Sequence, residues 1–495
     1  MRKVNRVNLP LISAPVSPPT PVERPDALRL LRDLRIGKKV TSTDAGAASP
    51  FKVWAQRLLV LSLLLWAISP LLGFTSTLTI LALVGFAAML VGMRKPVIGL
   101  LGIGMLATLD PLTRVYLLTG GLLRWNTLNY WLILVVILWI PLFLRLNDPH
   151  TRLLQVFILL LGLELLISAG WSEGIQDLLN LAATFGIVLY FARALPEKPN
   201  LYWLGILNGA IAATGGAMFY LLMDRLPYID PNAWAFFPLT GLFSICLGFH
   251  FVKGRSRQMF YLLMLAVVNY VWIFLSGSRG GMLSGLFCLL YLILAARSIS
   301  WTIVFLAAAV VLGVSLAIQF AGQQTYAIGR LQRMFDANLT LGKRTSGRSD
   351  LAVAGWGIFL NHPWGIGTGG FREEVESQNL NQGRRTPAHS AWIKALAENG
   401  FIGFLLLFAY VISFVVVGWQ KRDQGLFLIG LLTTVVFAST FVSVEYKGKT
   451  MWFLGSATTV LLHQEELLNV FQEMKKNRLL RQYRRWTSRL GRRHD

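Results

Sequence analysis

The chain has 495 residues, of which 54% are hydrophobic and 14% charged. Its mean hydropathy of +0.55 excludes an ordinary soluble enzyme, and its length excludes a single membrane anchor. The formal net charge of +23 would point to nucleic acid in a soluble protein. Here the basic residues instead crowd the two ends, with Arg2, Lys3, Arg6, Arg24, Arg29, Arg32, Arg35, Lys38 and Lys39 at one and Lys475, Lys476, Arg478, Arg481, Arg484, Arg485, Arg489, Arg492 and Arg493 at the other. That distribution suits contact with anionic membrane lipids and cytoplasmic retention of both termini, and no nucleic-acid partner is expected.

In chain order, residues 1–52 read as a cytoplasmic, basic, disordered tail, because a polar, proline-containing stretch from Asn8 to Pro50 precedes the first apolar run and has no secretory-signal pattern. Residues 53–320 read as a transmembrane bundle. Trp54–Leu72, Thr127–Leu144, Leu201–Met223 and Trp301–Phe320 are each long enough to cross a hydrocarbon layer of about 30 Å, and Phe401–Trp419 repeats the signal further on. So many crossings satisfy their backbone only as helices. The fold class expected is therefore all-α, a polytopic membrane bundle of roughly 12 to 14 spans, with Val97–Leu109 and Thr450–Leu462 short enough to be tilted or re-entrant. Arg94/Lys95, Arg145/Arg152, Arg193/Lys198, Lys253/Arg255/Arg257, Arg297 and Lys421/Arg422 mark inner connections, whereas Gly170–Gly174 is poor in positive charge and reads as outer. Cys246 and Cys288 fall inside apolar runs and read as packing residues.

Residues 321–388 form the one long polar excursion between spans, on the outer face by this threading, and such loops are usually functional. Within it, Leu351, Ala354, Ile358 and Phe359 recur at helical spacing until Asn361-His362-Pro363 stops the pattern, predicting a short amphipathic helix along the membrane surface. Ser349 is the expected N-cap, with Asp350 in the first turn. Gly365-Ile366-Gly367-Thr368-Gly369-Gly370 looks like a dinucleotide fingerprint only as text, since no strand–turn–helix unit surrounds it, and reads as a tight turn. Residues 389–463 return to transmembrane segments, and residues 464–495 form a second basic, cytoplasmic tail.

The residues with chemistry gather on the outer face. Arg279, in Ser278-Arg279-Gly280, follows a long apolar run, where charge needs a partner. Arg348, in Gly347-Arg348-Ser349-Asp350, lies beside the positive end of the amphipathic helix. In Thr386-Pro387-Ala388-His389-Ser390, Thr386 is an expected cap and Pro387 the first helical residue, which puts His389 in the first turn. A positive helix end disfavours imidazolium, leaving a neutral base. His150, His250 and His463 fall at inner ends of spans, His494 in the tail, and His362 reads as part of a helix stop. There is no Asp-x-Asp pair to hold a metal against a diphosphate, Glu373, Glu374 and Glu376 read as a solvated cluster, and no Gly-x-Ser-x-Gly elbow occurs. Guanidinium forks hold phosphate oxygens while an imidazole moves a proton, so two arginines and a histidine suit a lipid diphosphate.

Asp230-Pro231-Asn232-Ala233-Trp234-Ala235, Leu275 to Gly281, Gly347 to Trp356, His362 to Gly369 and His389-Ser390 through Glu398-Asn399-Gly400-Phe401-Ile402-Gly403 together resemble the O-antigen ligase superfamily over Leu201–Leu462. The resemblance implies a GT-C-like membrane glycosyltransferase of the bacterial inner membrane, with no cofactor and no metal. It implies that Arg279 and Arg348 bind the diphosphate of an undecaprenyl-diphosphate-linked glycan and that His389 deprotonates the hydroxyl of a lipid or polysaccharide acceptor. A polymerase of the same superfamily would need the same donor site. Some proteins sharing the Ser-Arg-Gly pattern are labelled inorganic-carbon transporters, a reading that gives His389 no task and lacks the paired broken spans of inverted repeats.

Overall fold

The computed structural model describes residues 49–116, 125–168, 170–221, 231–252, 256–296, 336, 338, 347–378, 387–441 and 449–491. Among these, all regular structure is helical, with eighteen α-helices and a 3-10 turn at Leu195–Glu197. The N-terminal tail to residue 48, Asp230, the run Trp301–Phe320, much of the long polar loop and Thr386 lie outside the described residues.

The apolar runs become helices, and their breaks follow Gly and Pro. Helix α1 (Pro50–Ala67) and the one-turn α2 (Ser69–Leu72) are separated from α3 (Phe74–Val91) by Gly73, whose φ is 83°. Helix α4 (Pro96–Tyr116) runs 21 residues, longer than its apolar centre suggested, and starts on a proline. Helices α3 and α4 interlock through glycines: a Cβ on Gly92 would lie 2.1 Å from Gly99 Cα, and one on Gly102 would lie 2.6 Å from Gly85 O. Small residues at such crossings let backbones approach where hydrophobic transfer into lipid gives no drive for association. Helix α5 (Trp125–Leu138) breaks into α6 (Ile140–Phe143) at Pro141. Asp148 then caps α7 (Pro149–Leu165), its carboxylate accepting from the Thr151 amide at 2.8 Å.

Next come α8 (Trp171–Ala194), α9 (Leu201–Leu221), α10 (Pro231–His250), α11 (Ser256–Leu275) and α12 (Arg279–Ala295). Beyond the polar loop, α13 (Arg348–Asn361) and α14 (Phe371–Ser377) precede α15 (Ala391–Gln420), α16 (Gln424–Phe441), α17 (Lys449–Leu462) and α18 (Gln464–Gly491). The basic C-terminal stretch is thus helical through Gly491. Among the described residues, five helices are long and apolar enough to cross a membrane (Phe74–Val91, Trp171–Glu197, Arg257–Leu275, Ala391–Gln420 and Gln424–Phe441), joined by shorter apolar ones that include Arg279–Ala295 and Thr450–Leu462. The protein is an all-α, polytopic membrane protein.

Helix α8 is 72% buried over its apolar window, against 39% for α11 and α15, so α8 lies at the centre and the other two at the rim. Rim positions such as Val60, Leu64, Leu163, Leu294, Phe401 and Val416 expose apolar side chains, as a lipid-facing surface requires. Inside, polar side chains pair between helices: Asn129 with Asn180 at 2.8 Å, Asn208 with Ser244 at 3.0 Å, Thr240 with Thr450 at 2.8 Å and Thr433 with Thr458 at 2.7 Å.

Candidate functional site

One end of the bundle gathers the starts of α12 and α15 and the finish of α16. The chain reverses between α11 and α12 in three residues, with Ser276 Oγ donating to Ile273 O at 2.6 Å and Gly277 at a φ of 68°. Ser278 then caps α12: its Oγ accepts from the Gly281 amide at 3.2 Å and donates to Asn232 Oδ1 of α10 at 2.8 Å. A Cβ on Gly281 would sit 2.6 Å from Ala235 Cβ, so the first turn of α12 is pressed onto α10. Arg279, the first residue of that turn, is half-buried. The sequence Ser-Arg-Gly-Gly is therefore a cap, a cation and two residues that allow close approach.

Ser390 caps α15 in the same way. Its Oγ accepts from the Ile393 amide at 3.4 Å and donates to the Phe441 carbonyl of α16 at 3.0 Å, while Trp392 Nε1 donates to Ala438 O at 3.2 Å. This corrects the expected helix start. His389 lies just before the N-cap, not in the first turn, and its backbone is left-handed at a φ of 54°. Both Thr386 and Ser390 have cap chemistry, and the Phe441 carbonyl provides Ser390 with a tertiary partner that local sequence does not reveal. On the other side, Ser284 of α12 meets Thr440 at 2.8 Å and Ser439 at 3.1 Å. The last turn of α16 thus touches the starts of both helices, with Arg279 five residues, or about 7.5 Å of helix rise, before Ser284.

Arg348 is the first residue of α13, whose N-cap is Gly347 at a φ of 79° and not the expected Ser349; Ser349 Oγ instead donates to Asp350 Oδ1 at 3.2 Å. The predicted helix is present and ends at Asn361, as the His-Pro stop requires, but it is not amphipathic as expected, since Val353, Trp356 and Leu360 are exposed opposite its buried face. It buries Leu351, Gly355 and Ile358, and a Cβ on Gly355 would lie 2.3 Å from Ile393 Cγ2, so α13 packs directly over the start of α15. Leu351 and Ala388 belong to one small core with Ile358, Phe371, Val375 and Ala397. Arg348 and His389 each adjoin that core, three residues before Leu351 and one after Ala388. The backbone positions of Arg279, Arg348 and His389 thus adjoin one end of the fold through the last turn of α16 and this core.

Beneath them lies a buried charge network that sequence reading missed. Lys394 Nζ is 2.5 Å from Asp177 Oδ2 and 3.8 Å from Glu398 Oε1, with all three side chains at most 2% exposed; the lysine–aspartate contact is an ion pair whose angles fall outside those of a hydrogen bond. Glu398 accepts from the Gly369 and Phe371 amides at 2.8 and 3.2 Å. Next to it, Asn399 Nδ2 donates to Glu164 and, at 3.0 Å, to Thr368 Oγ1. The signal was present in the sequence: Lys394 and Glu398 stand at i and i+4 in an otherwise apolar helix, where charges are rare without a task.

The network explains the glycine-rich turn. Gly365, Gly367 and Gly369 all have φ near +90°, and the turn lies against a break in α15 at Gly400 (φ 61°, ψ −161°). Gly367 N donates to Glu398 O at 2.9 Å, Ile366 N to Ala397 O at 3.2 Å and Phe401 N to Pro363 O at 3.0 Å. The turn is a buckle that fastens α13 and α14 to α15, with Thr368 fully buried. Beside it Arg372 Nη1 pairs with Glu173 Oε1 at 2.6 Å.

Residues 260–408 match the family model described as O-Antigen ligase. The match contains Arg279, Arg348, His389, the buckle and both charged residues of α15, and it is narrower than the Leu201–Leu462 resemblance, leaving the Asp230–Ala235 motif outside. No curated protein matches the chain. A family match that spans this end of an all-helical membrane bundle supports an O-antigen ligase or polymerase type of function in general, with lipid-linked glycan and acceptor as partner classes, and supports membership of the O-antigen ligase superfamily through residues 260–408.

Proposed function

We propose that the protein transfers a preassembled glycan from undecaprenyl diphosphate to a lipid or polysaccharide acceptor on the outer face of the bacterial inner membrane, with both termini cytoplasmic. The observation that supports this most is the shared attachment of Arg279 and His389 to the last turn of α16, through Ser284 with Thr440 and Ser390 with Phe441, and of Arg348 to the core that holds Ala388. Two guanidinium groups match the charge and fork geometry of a diphosphate.

The reaction follows from these groups. His389 accepts the proton of the acceptor hydroxyl, whose oxygen attacks the anomeric carbon as the bond from that carbon to the phosphate oxygen breaks. The electron pair leaves on undecaprenyl diphosphate, and Arg279 and Arg348 neutralise the charge that develops there. Displacement from the opposite face inverts the anomeric centre. No metal is required for charge neutralisation in this scheme. The left-handed backbone at His389 is a conformation that histidine adopts more readily than most side chains. Exposed Val353, Trp356, Leu360 and Trp364 on and after α13 give the loop an apolar face suited to the membrane interface or the polyprenyl chain.

A polymerase joining repeat units would use the same donor groups and differ in its acceptor. Reconstitution of the purified chain in liposomes with an undecaprenyl-diphosphate glycan and candidate acceptors separates the two. A single addition per acceptor molecule is the expected product, a ladder of lengths assigns polymerisation, and no transfer with any acceptor overturns the reading.

A further inference from the structure

At the opposite end of the bundle, Asp148, His150 and His463 bring one ligand atom each within 4.8 Å of one another, all three residues buried. His150 and His463 are 313 positions apart, yet their Nδ1 and Nε2 atoms are 3.2 Å apart. His150 Nδ1 is 3.9 Å from Asp148 Oδ1. We propose that these three side chains form a site for a divalent transition metal of the zinc class, which fastens the junction of α17 and α18 to the start of α7.

The geometry fits. Metal–nitrogen bonds of about 2.0–2.1 Å in a tetrahedron put ligand nitrogens roughly 3.3 Å apart, close to the 3.2 Å observed between the two rings. His463 has its other nitrogen, Nδ1, 2.9 Å from Glu466 Oε2, so Nδ1–H donates outward and the Nε2 lone pair is directed at His150. A carboxylate on the far nitrogen is the usual outer partner of a ligating histidine. The His150 ring is held by stacking on Phe414 of α15, with centroids 4.3 Å apart. Asp148 is oriented by its cap bond to Thr151, and a carboxylate has lone pairs enough to cap and ligate together.

Three charged side chains and two helix ends face the site. Asp148 precedes α7, Glu466 belongs to α18, and Lys421, beyond α15, pairs with Glu466 at 2.7 Å. Two carboxylates therefore stand against one ammonium. The positive start of α7 opposes a cation, and the carbonyl end of α17, which finishes at Leu462, favours one. Two imidazoles and one carboxylate suit zinc, cobalt or nickel over magnesium or calcium, which take oxygen ligands. The fourth position is left for water. Glu466, 57% exposed, marks the solvent side from which an aquated ion enters. Phe414 lies 14 residues, or about 21 Å of helix rise, beyond the break at Gly400, so this ion stands apart from the proposed transfer chemistry and its role is to hold α18.

The test uses the full, tag-free chain in detergent, stripped with a chelator, dialysed and reloaded with Zn²⁺, Co²⁺ or Mg²⁺. Elemental analysis is expected to find about one zinc per chain, cobalt to give the visible bands of a low-coordinate nitrogen and oxygen site, and zinc but not magnesium to raise the melting temperature. His463→Gln and His150→Gln should each lose that equivalent. Background zinc together with no cobalt bands in the folded wild-type chain overturns the proposal and leaves the contact as a histidine–histidine hydrogen bond. Full zinc retention in both variants also overturns it, since the ion would then lie elsewhere. The cobalt spectrum of the unmodified chain is decisive even if a variant fails to fold.

Discussion

Lys394→Met should destabilise the protein far more than its conservative volume suggests. Lys394 Nζ lies 2.5 Å from Asp177 Oδ2, with the side chains 2% and 0% exposed. At an effective dielectric of about 20 the gross attraction is roughly 6–7 kcal/mol, most of which offsets desolvation of the two ions. Removing the ammonium alone leaves the Asp177 carboxylate buried without its cation, while Glu398 keeps the Gly369 and Phe371 amides. The expected loss is about 3–5 kcal/mol. The double variant Lys394→Met/Asp177→Leu removes both ions and should recover most of that. Asp177→Asn should cost less than Lys394→Met, because Lys394 retains Glu398 at 3.8 Å. Unfolding of purified protein in detergent, followed by tryptophan fluorescence, measures all four. Wild-type stability in Lys394→Met, or a double variant no better than the single, would refute the reasoning.

Arg279→Ala should sharply reduce donor binding or turnover in reconstituted vesicles, and Arg279→Lys should restore only part of it because a point ammonium lacks the fork; a fully active alanine variant would reduce Arg279 to a membrane anchor. Gly369→Ala should destabilise the buckle, since its φ is +88° and the new Cβ would meet Gly170 O and Gly174 N at 2.4 Å, with at least about 1–2 kcal/mol lost from the backbone alone; a melting curve equal to wild type would contradict this. Single cysteines at 279, 348 and 389 should react with impermeant maleimide in intact spheroplasts, whereas one at the C-terminus should not; the reverse pattern would overturn the topology and the site together. Addition of Mg²⁺ or Mn²⁺ should leave the transfer rate unchanged, and saturable stimulation would refute metal-independent departure of the diphosphate.

What the sequence made legible is local. Helix α13 and its stop at Asn361 follow from the spacing of Leu351 and Ile358 and from His362-Pro363, all within a few turns. Cap positions were less accessible, because several residues near each start have cap chemistry. Ser390 wins through the Phe441 carbonyl, and the left-handed Gly347 displaces Ser349. The Lys394–Asp177 pair and the His150–His463 contact were hidden for a related reason: local sequence around each residue does not reveal the distant partner, and only packing of distant helices joins them. Arg279 and His389 could be singled out because charged or titratable residues are costly beside apolar spans, whereas the turn of α16 that links them has only Ser and Thr to announce it.

The role of His389 is the central claim, and its most direct test is the rate of glycan transfer by a reconstituted His389→Asn variant. Asparagine tolerates the left-handed backbone at this position and keeps a polar side chain without a base, so the fold and donor binding should be retained. The account predicts transfer slower by about 10²- to 10⁴-fold, with donor binding unchanged. Transfer at the wild-type rate would contradict it.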